Sequence, residues 1–255
     1  MALLRCDFFS DVLEVGTSMT VLLPQASAEQ IGVSGPAGTP GDGFPVLYLL
    51  HGLSDDSSAW LRYTSIERYA AQLGLAVVMP QVGRSFYADE VHGGRYWTFL
   101  SEELPVVVGS FFNVSERRED TFVAGLSMGG YGAVKWALHQ PQRFAAAATL
   151  SGALDLVALS TVPWRSELFR RVYGGRIGPD DDLFALLARA DVETLPSFYV
   201  GCGTEDHLYD SSVRFVDAAT AAGLDVAVDL RPGGHEWELW DATVRDVLAW
   251  LPLLR

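Results

Sequence analysis

The feature that most constrains the fold is a series of short apolar runs separated by segments with helical periodicity. Strands that are buried on both faces of a sheet need not alternate, and Gly, Pro or Asp stands at or near the ends of these runs. The runs that predict such strands are 46–50, 75–79, 121–124, 145–150, 197–200 and 226–230. Strand and helix thus alternate along the chain, which predicts an α/β fold with a doubly wound, mostly parallel sheet.

Several other segments complete this pattern. Residues 8–23 predict an antiparallel hairpin at the edge of the sheet, and residues 32–43, rich in Gly, Pro, Ser and Thr, predict a surface turn region. Apolar spacing predicts one helix over 104–112 after an N-cap at Ser101, and another after Asp210.

The segment 155–194 interrupts the alternation with two predicted short helices. Its large apolar side chains predict either a small cap insertion over the functional site or helices packed on the sheet; they are Trp164, Leu168, Phe169 and Tyr173. We expect a single domain over 1–255, because a chain of 255 residues that is 49% hydrophobic can bury a sizeable core.

Composition disfavours several classes of function. The formal charge of −14 opposes binding to nucleic acid or to an anionic membrane, because both need clustered cations. Cys6 and Cys202 stand too far apart to indicate a disulfide framework or a zinc site, so we expect no metal and no cofactor. We find neither an apolar window of membrane-spanning length nor a signal-peptide pattern, and therefore expect a cytoplasmic protein. The sequence leaves open whether the chain forms a homo-oligomer.

The strongest chemical signal is Gly125-Leu126-Ser127-Met128-Gly129, which joins the predicted strand 121–124 to a predicted helix over 128–139. This pattern is typical of a nucleophile elbow, whose sharp turn lifts a serine hydroxyl clear of the sheet. Glycines at both ends remove Cβ atoms that would collide in so tight a bend. The positive N-terminal end of the helix favours the oxyanion that forms when the hydroxyl attacks a carbonyl. Ser127 is therefore the predicted nucleophile.

A serine nucleophile requires a base, which enzymes with this elbow place after an acid in the chain order Ser, Asp, His. Of the histidines that follow Ser127, His139 lies one helix length from the elbow and His207 adjoins the candidate acid. His235 remains, in a glycine-rich loop directly after the last predicted strand, where its imidazole can swing back over the sheet. It is the predicted general base.

The predicted acid is Asp206, which follows the strand 197–200 at the carboxyl end of the sheet. Glu205 and Asp210 compete with it for this role. Spacing alone does not decide which of the three carboxylates reaches Nδ1 of the base.

An oxyanion hole needs one backbone donor from the residue after the nucleophile and one from the loop after an early strand. Met128 supplies the first, and the loop His51-Gly52-Leu53 supplies the second. Leu53 is the predicted donor, with Gly52 as the alternative. We assign His51 a structural role, because a second base would have no proton to handle.

Aromatic residues near these motifs are candidates for the lining of the acyl or alcohol pocket. Each could equally be part of the packed core, which is the more common role of a buried aromatic side chain. The candidates are Trp60, Tyr96, Trp97, Tyr131 and Trp237.

Taken in order, the motifs resemble one family, the esterase D-like α/β-hydrolases, and in particular the bacterial tributyrin esterases. The similarity covers nearly the whole chain and is far more specific than the elbow alone. It rests on residues 47–53, 57–60, 102–105, 124–132, 202–206 and 233–237.

The resemblance implies a serine carboxylesterase that hydrolyses small-molecule esters with short acyl chains, acetyl to butyryl, and in some relatives acetylated sugars or feruloyl esters. It implies the same triad and, by analogy, Leu53 and Met128 as oxyanion donors. S-formylglutathione hydrolases usually have a cysteine soon after the His-Gly-Leu loop and a histidine before the serine. Here Ser54 or Asp55, and Leu126, stand at those positions, which favours the carboxylesterase.

Three alternatives to this interpretation stay open. The chain could be an S-formylglutathione hydrolase, or an acyltransferase of the same fold that differs only in what reaches the acyl-enzyme. A non-catalytic scaffold that binds a partner through 155–194 is the third, and the presence of all three triad candidates opposes it.

Overall fold

The computed structural model describes residues 1–26, 41 and 43–253 of the chain. Most of the predicted turn region 32–43 lies outside these residues. Eight strands form one sheet in the order β1-β2-β4-β3-β5-β6-β7-β8. They are β1 (Ala2–Ser10), β2 (Val15–Leu23), β3 (Val46–Leu50), β4 (Ala76–Pro80), β5 (Thr121–Leu126), β6 (Ala146–Leu150), β7 (Ser197–Gly203) and β8 (Val226–Arg231).

The sheet is mostly parallel, as predicted. Strand β2 runs antiparallel to both of its neighbours, β1 and β4, whereas β4, β3, β5, β6, β7 and β8 pair in parallel. The predicted hairpin forms the sheet edge, but it is longer than expected and begins at Ala2. Its outer strand alternates between exposed and partly buried residues, and this half-exposed pattern gives a weaker signal than a continuous apolar run.

Strand β3 shows how both faces of the sheet are covered. Val46, Tyr48 and Leu50 belong to one core, and Leu47 and Leu49 belong to a second core on the other face. Successive side chains of a strand point to opposite faces, so an unbroken apolar run fills two cores at once. The doubly wound α/β prediction is confirmed.

Helices form the outer layers. Ile66, Ala70, Trp240 and Val244 come from helices in the second core, while Val134 and other helical residues fill the first. The α-helices are α1 (Ala59–Tyr63), α2 (Ile66–Leu73), α3 (Tyr96–Thr98), α4 (Leu104–Phe111), α5 (Met128–His139), α6 (Leu156–Ser160), α7 (Ser166–Tyr173), α8 (Leu183–Arg189), α9 (Tyr209–Ala221) and α10 (Trp237–Trp250). A π-helical turn at Phe99–Glu103 joins α3 to α4. Within the described ranges, no helix has the length and apolar character needed to cross a membrane.

Ser101 is not the N-cap that the sequence predicts. The helical run begins five residues earlier, at Tyr96, and Ser101 lies inside its π-helical turn. Its hydroxyl donates to the Trp97 carbonyl at 2.8 Å, one turn back. A serine within a helix uses its hydroxyl in this way, and the sequence pattern does not distinguish that bond from a cap.

The segment 155–194 contains three α-helices, α6, α7 and α8, where two were predicted. Phe169 and Tyr173 of α7 are buried in the first core, whereas the Trp164 side chain is 74% exposed. Most of the segment's large apolar side chains therefore pack onto the body of the protein. We propose that the chain is one domain, of which this segment forms a wall.

An ion pair between a buried lysine and a partly buried aspartate connects this segment to α5. The Lys135 ammonium lies 2.7 Å from the Asp181 carboxylate and donates to the Tyr87 carbonyl at 3.2 Å. It also lies 4.4 Å from the centroid of the Trp97 ring. Burial lowers the pKa of Lys135, and the carboxylate of Asp181 opposes that shift.

Asp181→Asn is expected to lower the free energy of unfolding by about 3 kcal/mol, because it leaves a buried ammonium without its carboxylate. Urea unfolding followed by circular dichroism measures the change as a shift of the midpoint at constant slope. Asp180→Asn is the matched control: its exposed carboxylate pairs with Arg189, and its loss should cost less than about 1 kcal/mol. Equal urea midpoints for the two variants would show that the Lys135–Asp181 pair adds no more to stability than the exposed Asp180–Arg189 pair.

Candidate active site

Ser127 occupies a strained turn between β5 and α5. Its backbone angles are φ 52° and ψ −115°, a region that residues with a side chain rarely adopt. The turn is held from both sides: the Ser127 N–H donates to the Leu150 carbonyl at 2.9 Å, and the Ser127 carbonyl accepts from Ala153 N–H at 3.0 Å and Tyr131 N–H at 3.1 Å. These bonds hold the hydroxyl-bearing residue at the carboxyl edge of the sheet.

The two glycines of the predicted elbow are required by close backbone contacts. A Cβ on Gly125 would lie 2.3 Å from the Gly129 carbonyl oxygen, and a Cβ on Gly129 would lie 2.3 Å from the Leu50 carbonyl oxygen. Real Cβ atoms do not approach backbone so closely. Helix α5 therefore packs directly against the ends of β3 and β5.

The predicted triad residues meet in one chain of hydrogen bonds. His235 Nε2 lies 3.1 Å from Ser127 Oγ, and His235 Nδ1 lies 2.8 Å from Asp206 Oδ2. An ionised carboxylate only accepts, so Nδ1 carries the proton and Nε2 is free to accept from the serine. Asp206 follows β7 and His235 follows β8, so the three side chains come from the ends of different strands.

The Asp206 carboxylate is fully buried and held by more than the histidine. Leu208 N–H donates to its Oδ1 at 2.8 Å. Burial raises the pKa of this carboxyl, but hydrogen bonds from His235 and Leu208 outweigh that effect and hold the pKa below its ordinary value. Asp206 is thus a carboxylate at neutral pH.

Neither competing carboxylate takes this position. Glu205 is exposed and accepts from the Gly233 N–H instead. Asp210 lies in the first turn of α9 and, within the described part of the chain, makes no hydrogen bond to His235. His139 bonds to the Asp180 carbonyl, away from the elbow.

Sequence reasoning missed the groups that support His235. Trp240 packs edge-on against the imidazole, with ring centroids 4.8 Å apart. Its indole N–H donates to Ser151 Oγ at 3.1 Å, and the Ser151 hydroxyl contributes to lowering the pKa of Asp206. His207 contacts the other side of the His235 ring at 4.7 Å. Ser151 directly follows the apolar run 145–150, and Trp240 stands at helical spacing from Val244 and Val247; both patterns indicate only core packing.

The predicted oxyanion donors face the same space as Ser127. Leu53 and Met128 both line the cavity. Met128 is the first residue of α5, where a backbone N–H has no partner within the helix. Gly52 N–H is taken up by Asp55 Oδ2 at 3.1 Å. The N–H of Leu53 has no hydrogen-bond partner in the described ranges, which favours Leu53 over Gly52 as the donor.

His51, assigned a structural role from the sequence, is buried behind this loop. Its Nδ1 lies 2.7 Å from the Gly52 carbonyl, and its Nε2 accepts from Val82 N–H at 3.2 Å. Burial lowers the pKa of His51, so the ring is neutral and joins two loops at the base of the site.

Ser127 and His235 open into a cavity of about 370 Å³. Of the predicted pocket residues, Trp237 lines it. The prediction is wrong for Trp60, Trp97 and Tyr131, which do not reach this cavity. Tyr96 lines a different cavity beside the N-terminal hairpin.

Packing explains each of the three errors. The Trp60 ring is buried beneath Trp237, and its N–H donates to the Leu50 carbonyl. Trp97 contacts His139 and Lys135. Tyr131 is buried under Phe86 and donates to the Asp181 carbonyl. Proximity in sequence to a motif did not predict on which side of the helix or loop each ring lies.

The cavity also has walls that no sequence pattern indicated. Phe86 and Arg84 come from the loop after β4, and Arg165 comes from the segment 155–194. These side chains line the same cavity as Ser127 because the tertiary fold brings their segments together. No spacing rule links either segment to the elbow.

Asp206, His207 and His235 are close enough together to be considered as metal ligands. The Asp206 and His235 atoms are 2.8 Å apart, however, whereas two ligands of a tetrahedral zinc lie roughly 3.3 Å apart. Asp206 and His235 therefore have the spacing of a hydrogen bond rather than that of two ligands of one metal ion.

A protein-family model described as putative esterase matches residues 21–251. The chain belongs to this esterase family. Among curated relatives, the acetyl esterase of Caldicellulosiruptor saccharolyticus is 29% identical over 264 residues, covering 98% of this chain and 98% of that protein.

Two solved structures from Staphylococcus aureus are similar over the same extent. FphF, a fluorophosphonate-binding serine hydrolase in a substrate-bound state, is 32% identical, with a TM-score of 0.88 and 98% of each chain covered. The S-formylglutathione hydrolase FrmB, an apoenzyme, is 32% identical, with a TM-score of 0.85 and 98% of each chain covered. The predicted α/β-hydrolase fold and serine esterase family are confirmed, and the chain is a carboxylic ester hydrolase. A specific closeness to tributyrin esterases stays a prediction.

Asp206→Asn is expected to reduce kcat by roughly 10³–10⁴-fold, because an amide can donate to Nδ1 and stabilise the wrong tautomer of His235. Esterase kinetics with 4-nitrophenyl acetate measure this loss. Glu205→Gln, in the adjacent residue, is the control and should retain activity within a few fold. A larger loss in the Glu205 variant than in the Asp206 variant would transfer the role of the acid to Glu205.

Proposed function

We propose that this esterase hydrolyses short-chain acyl esters, acetyl to butyryl, through an acyl-enzyme on Ser127. The observation that carries the proposal is the pair of contacts that join Ser127 Oγ to His235 at 3.1 Å and His235 to Asp206 at 2.8 Å. A nucleophile, a base and an orienting acid in hydrogen-bond reach of one another are the requirements of serine acyl transfer.

The first half of the reaction forms the acyl-enzyme. Ser127 Oγ bonds to the ester carbonyl carbon while His235 Nε2 takes the hydroxyl proton, and the carbonyl π electrons move onto its oxygen. The N–H groups of Leu53 and Met128 stabilise that oxyanion, and loss of one such donor typically costs about 10²–10³-fold in kcat. Collapse of the intermediate breaks the bond to the alcohol oxygen, which takes the proton from His235.

Water repeats the sequence in the second half. His235 Nε2 removes a proton from water while the water oxygen attacks the acyl carbon. The bond from the acyl carbon to Ser127 Oγ then breaks, Oγ takes the proton from His235, and the carboxylic acid is released. Asp206 stays ionised throughout and stabilises the imidazolium formed at each step. No step requires a cofactor.

The preference for short acyl chains is supported by the size of the cavity. The cavity beside Ser127 has a volume of about 370 Å³. Phe86, Trp237 and Trp240 stand in its walls, and rigid rings cannot move aside for a long chain without disturbing the packing around the triad. A small-molecule ester is the substrate class that fits.

Hydrolysis of S-formylglutathione is a second candidate, favoured by the similarity to FrmB. The same acyl-enzyme cycle would release a thiol in place of an alcohol. Ser54, Asp55 and Leu126, where such hydrolases usually carry cysteine and histidine, oppose it. Assay with S-formylglutathione decides between them, and added acceptor alcohols would reveal the acyltransferase alternative through new ester products.

Purified protein is expected to release 4-nitrophenol faster from the acetate and butyrate esters than from the octanoate, with metal chelator present. Ser127→Ala should lower kcat by roughly 10⁴-fold or more, since it removes the nucleophile. Ser110→Ala, an exposed serine on α4, is the control and should match the wild type. Activity that survives Ser127→Ala would refute the acyl-enzyme, and a preference for octanoate would refute the short-chain assignment.

A further inference from the structure

Two guanidinium groups face the cavity that holds Ser127. Arg84 and Arg165 both line it. Within the part of the chain that the structure describes, neither side chain makes an ion pair or a hydrogen bond. Arg165 Nε is buried without a partner, although the guanidinium lies 4.4 Å from the centroid of its neighbour Trp164.

Other arginines near this part of the molecule are paired. Arg171 lies 3.0 Å from the Glu90 carboxylate, and Arg214 lies 2.6 Å from that of Asp155. In a chain with 32 acidic and 18 basic residues, carboxylate partners are plentiful. Arg84 is exposed to solvent, but the Arg165 Nε is buried without a partner among the described residues. Burying that group costs free energy, because a guanidinium that loses water without gaining an acceptor is poorly solvated.

The charges of the two arginines also affect the pKa values of neighbouring groups. Burial and the positive charge of Arg84 lower the pKa of Arg165. Arg165 in turn is one of the charges that lower the pKa of His207, after burial and His235. The charge of Arg165 therefore acts on His207, which lines the same cavity as Ser127 and His235.

Asp55 is the one carboxylate among the described cavity-lining residues. Its Oδ2 accepts from Gly52 N–H at 3.1 Å, so this carboxylate is engaged by the loop backbone rather than by either arginine. An adjoining surface cavity shares Arg84 and adds Arg170, Arg171 and His92 against a single acid, Glu167. Arg170 thus extends the positive side chains outward from the site, whereas Arg171 is paired with Glu90.

We propose that the substrate of this esterase carries an anionic group in addition to the ester, and that Arg84 and Arg165 bind that group while Ser127 attacks the ester carbonyl. The proposal rests on the function proposed above for Ser127. Guanidinium forks bind carboxylate and phosphate through paired charge-assisted hydrogen bonds. A bound anion would supply the acceptor that the buried Arg165 Nε lacks and a charge partner for Arg84, and it could stand on either the acyl or the alcohol half of the ester.

A matched pair of substrates tests the alcohol half. 4-Acetoxybenzoate and 4-acetoxybenzamide differ in charge at one position and release similar phenols, so the ratio of their kcat/KM values reports recognition of the anion. Arg84→Gln and Arg165→Gln are each expected to lower this ratio by about tenfold or more. Arg68→Gln, an exposed arginine on α2, makes the same change in net charge and should leave the ratio unchanged.

A second pair tests the acyl half. The 4-nitrophenyl monoester of adipic acid carries a carboxylate where 4-nitrophenyl hexanoate carries a methyl group. A preference for the adipate that disappears in the arginine variants would place the anion on the acyl side. Added salt should reduce the preference of the wild type in whichever pair shows it, because ions screen the attraction.

The outcomes separate this proposal from the function on which it rests. The wild type can hydrolyse neutral esters while the arginine variants leave the kcat/KM ratio of anionic to neutral ester unchanged in both substrate pairs. That result overturns the anion site and leaves the esterase mechanism intact. If no ester is turned over, the mechanism fails. The anion site is then judged by calorimetric binding of 4-acetoxybenzoate to Ser127→Ala: tighter binding than the amide, lost in the arginine variants, supports it, and equal binding overturns it.

Discussion

The left-handed turn at Ser127 is the constraint on which the rest of the site depends. A φ of 52° for a residue with a side chain costs free energy, and the turn persists because Leu150, Ala153 and Tyr131 bond to its backbone from three directions. The same turn brings α5 so close to β3 that only glycine fits at 129. Oxyanion donor, nucleophile and sheet are therefore fixed relative to one another before any substrate binds, which is the preorganisation that electrostatic stabilisation of a transition state needs.

The doubly wound sheet explains why distant residues meet at this turn. Parallel strands end on the same edge, and the loops that leave β3, β5, β7 and β8 all open there. Leu53, Ser127, Asp206 and His235 each follow one of those strands. Asp206 and His235 are 29 positions apart in the chain yet 2.8 Å apart in space, because β7 and β8 are parallel neighbours in register from Phe198 to Gly203.

Those parts of the site that belong to strand ends were predictable from sequence. Continuous apolar runs placed β3 to β8 within a few residues. The elbow motif and chain order then predicted Ser127 and His235 and favoured Asp206 over Glu205 and Asp210, and the contacts agree with those predictions. Side-chain direction was not predictable. Trp97 and Tyr131 stand close to motifs but point into other parts of the core. Arg84, Arg165 and Trp240 reach the cavity from a loop, a separate helical segment and the last helix, and no periodicity relates such segments to one another.

The net charge of the whole chain differs in sign from the local charge of the cavity wall that contacts a substrate. A formal charge of −14 is spread over a solvated surface, where salt screens interactions beyond roughly 10 Å. Arg84 and Arg165 act instead over contact distance, in a cavity whose walls exclude part of the water. Net charge therefore argues against nucleic acid and anionic membranes, whose extended charge must face the whole surface. It does not argue against a small anionic ester, for which the local field of Arg84 and Arg165, two guanidinium groups without an ion-pair partner among the described residues, is the larger influence.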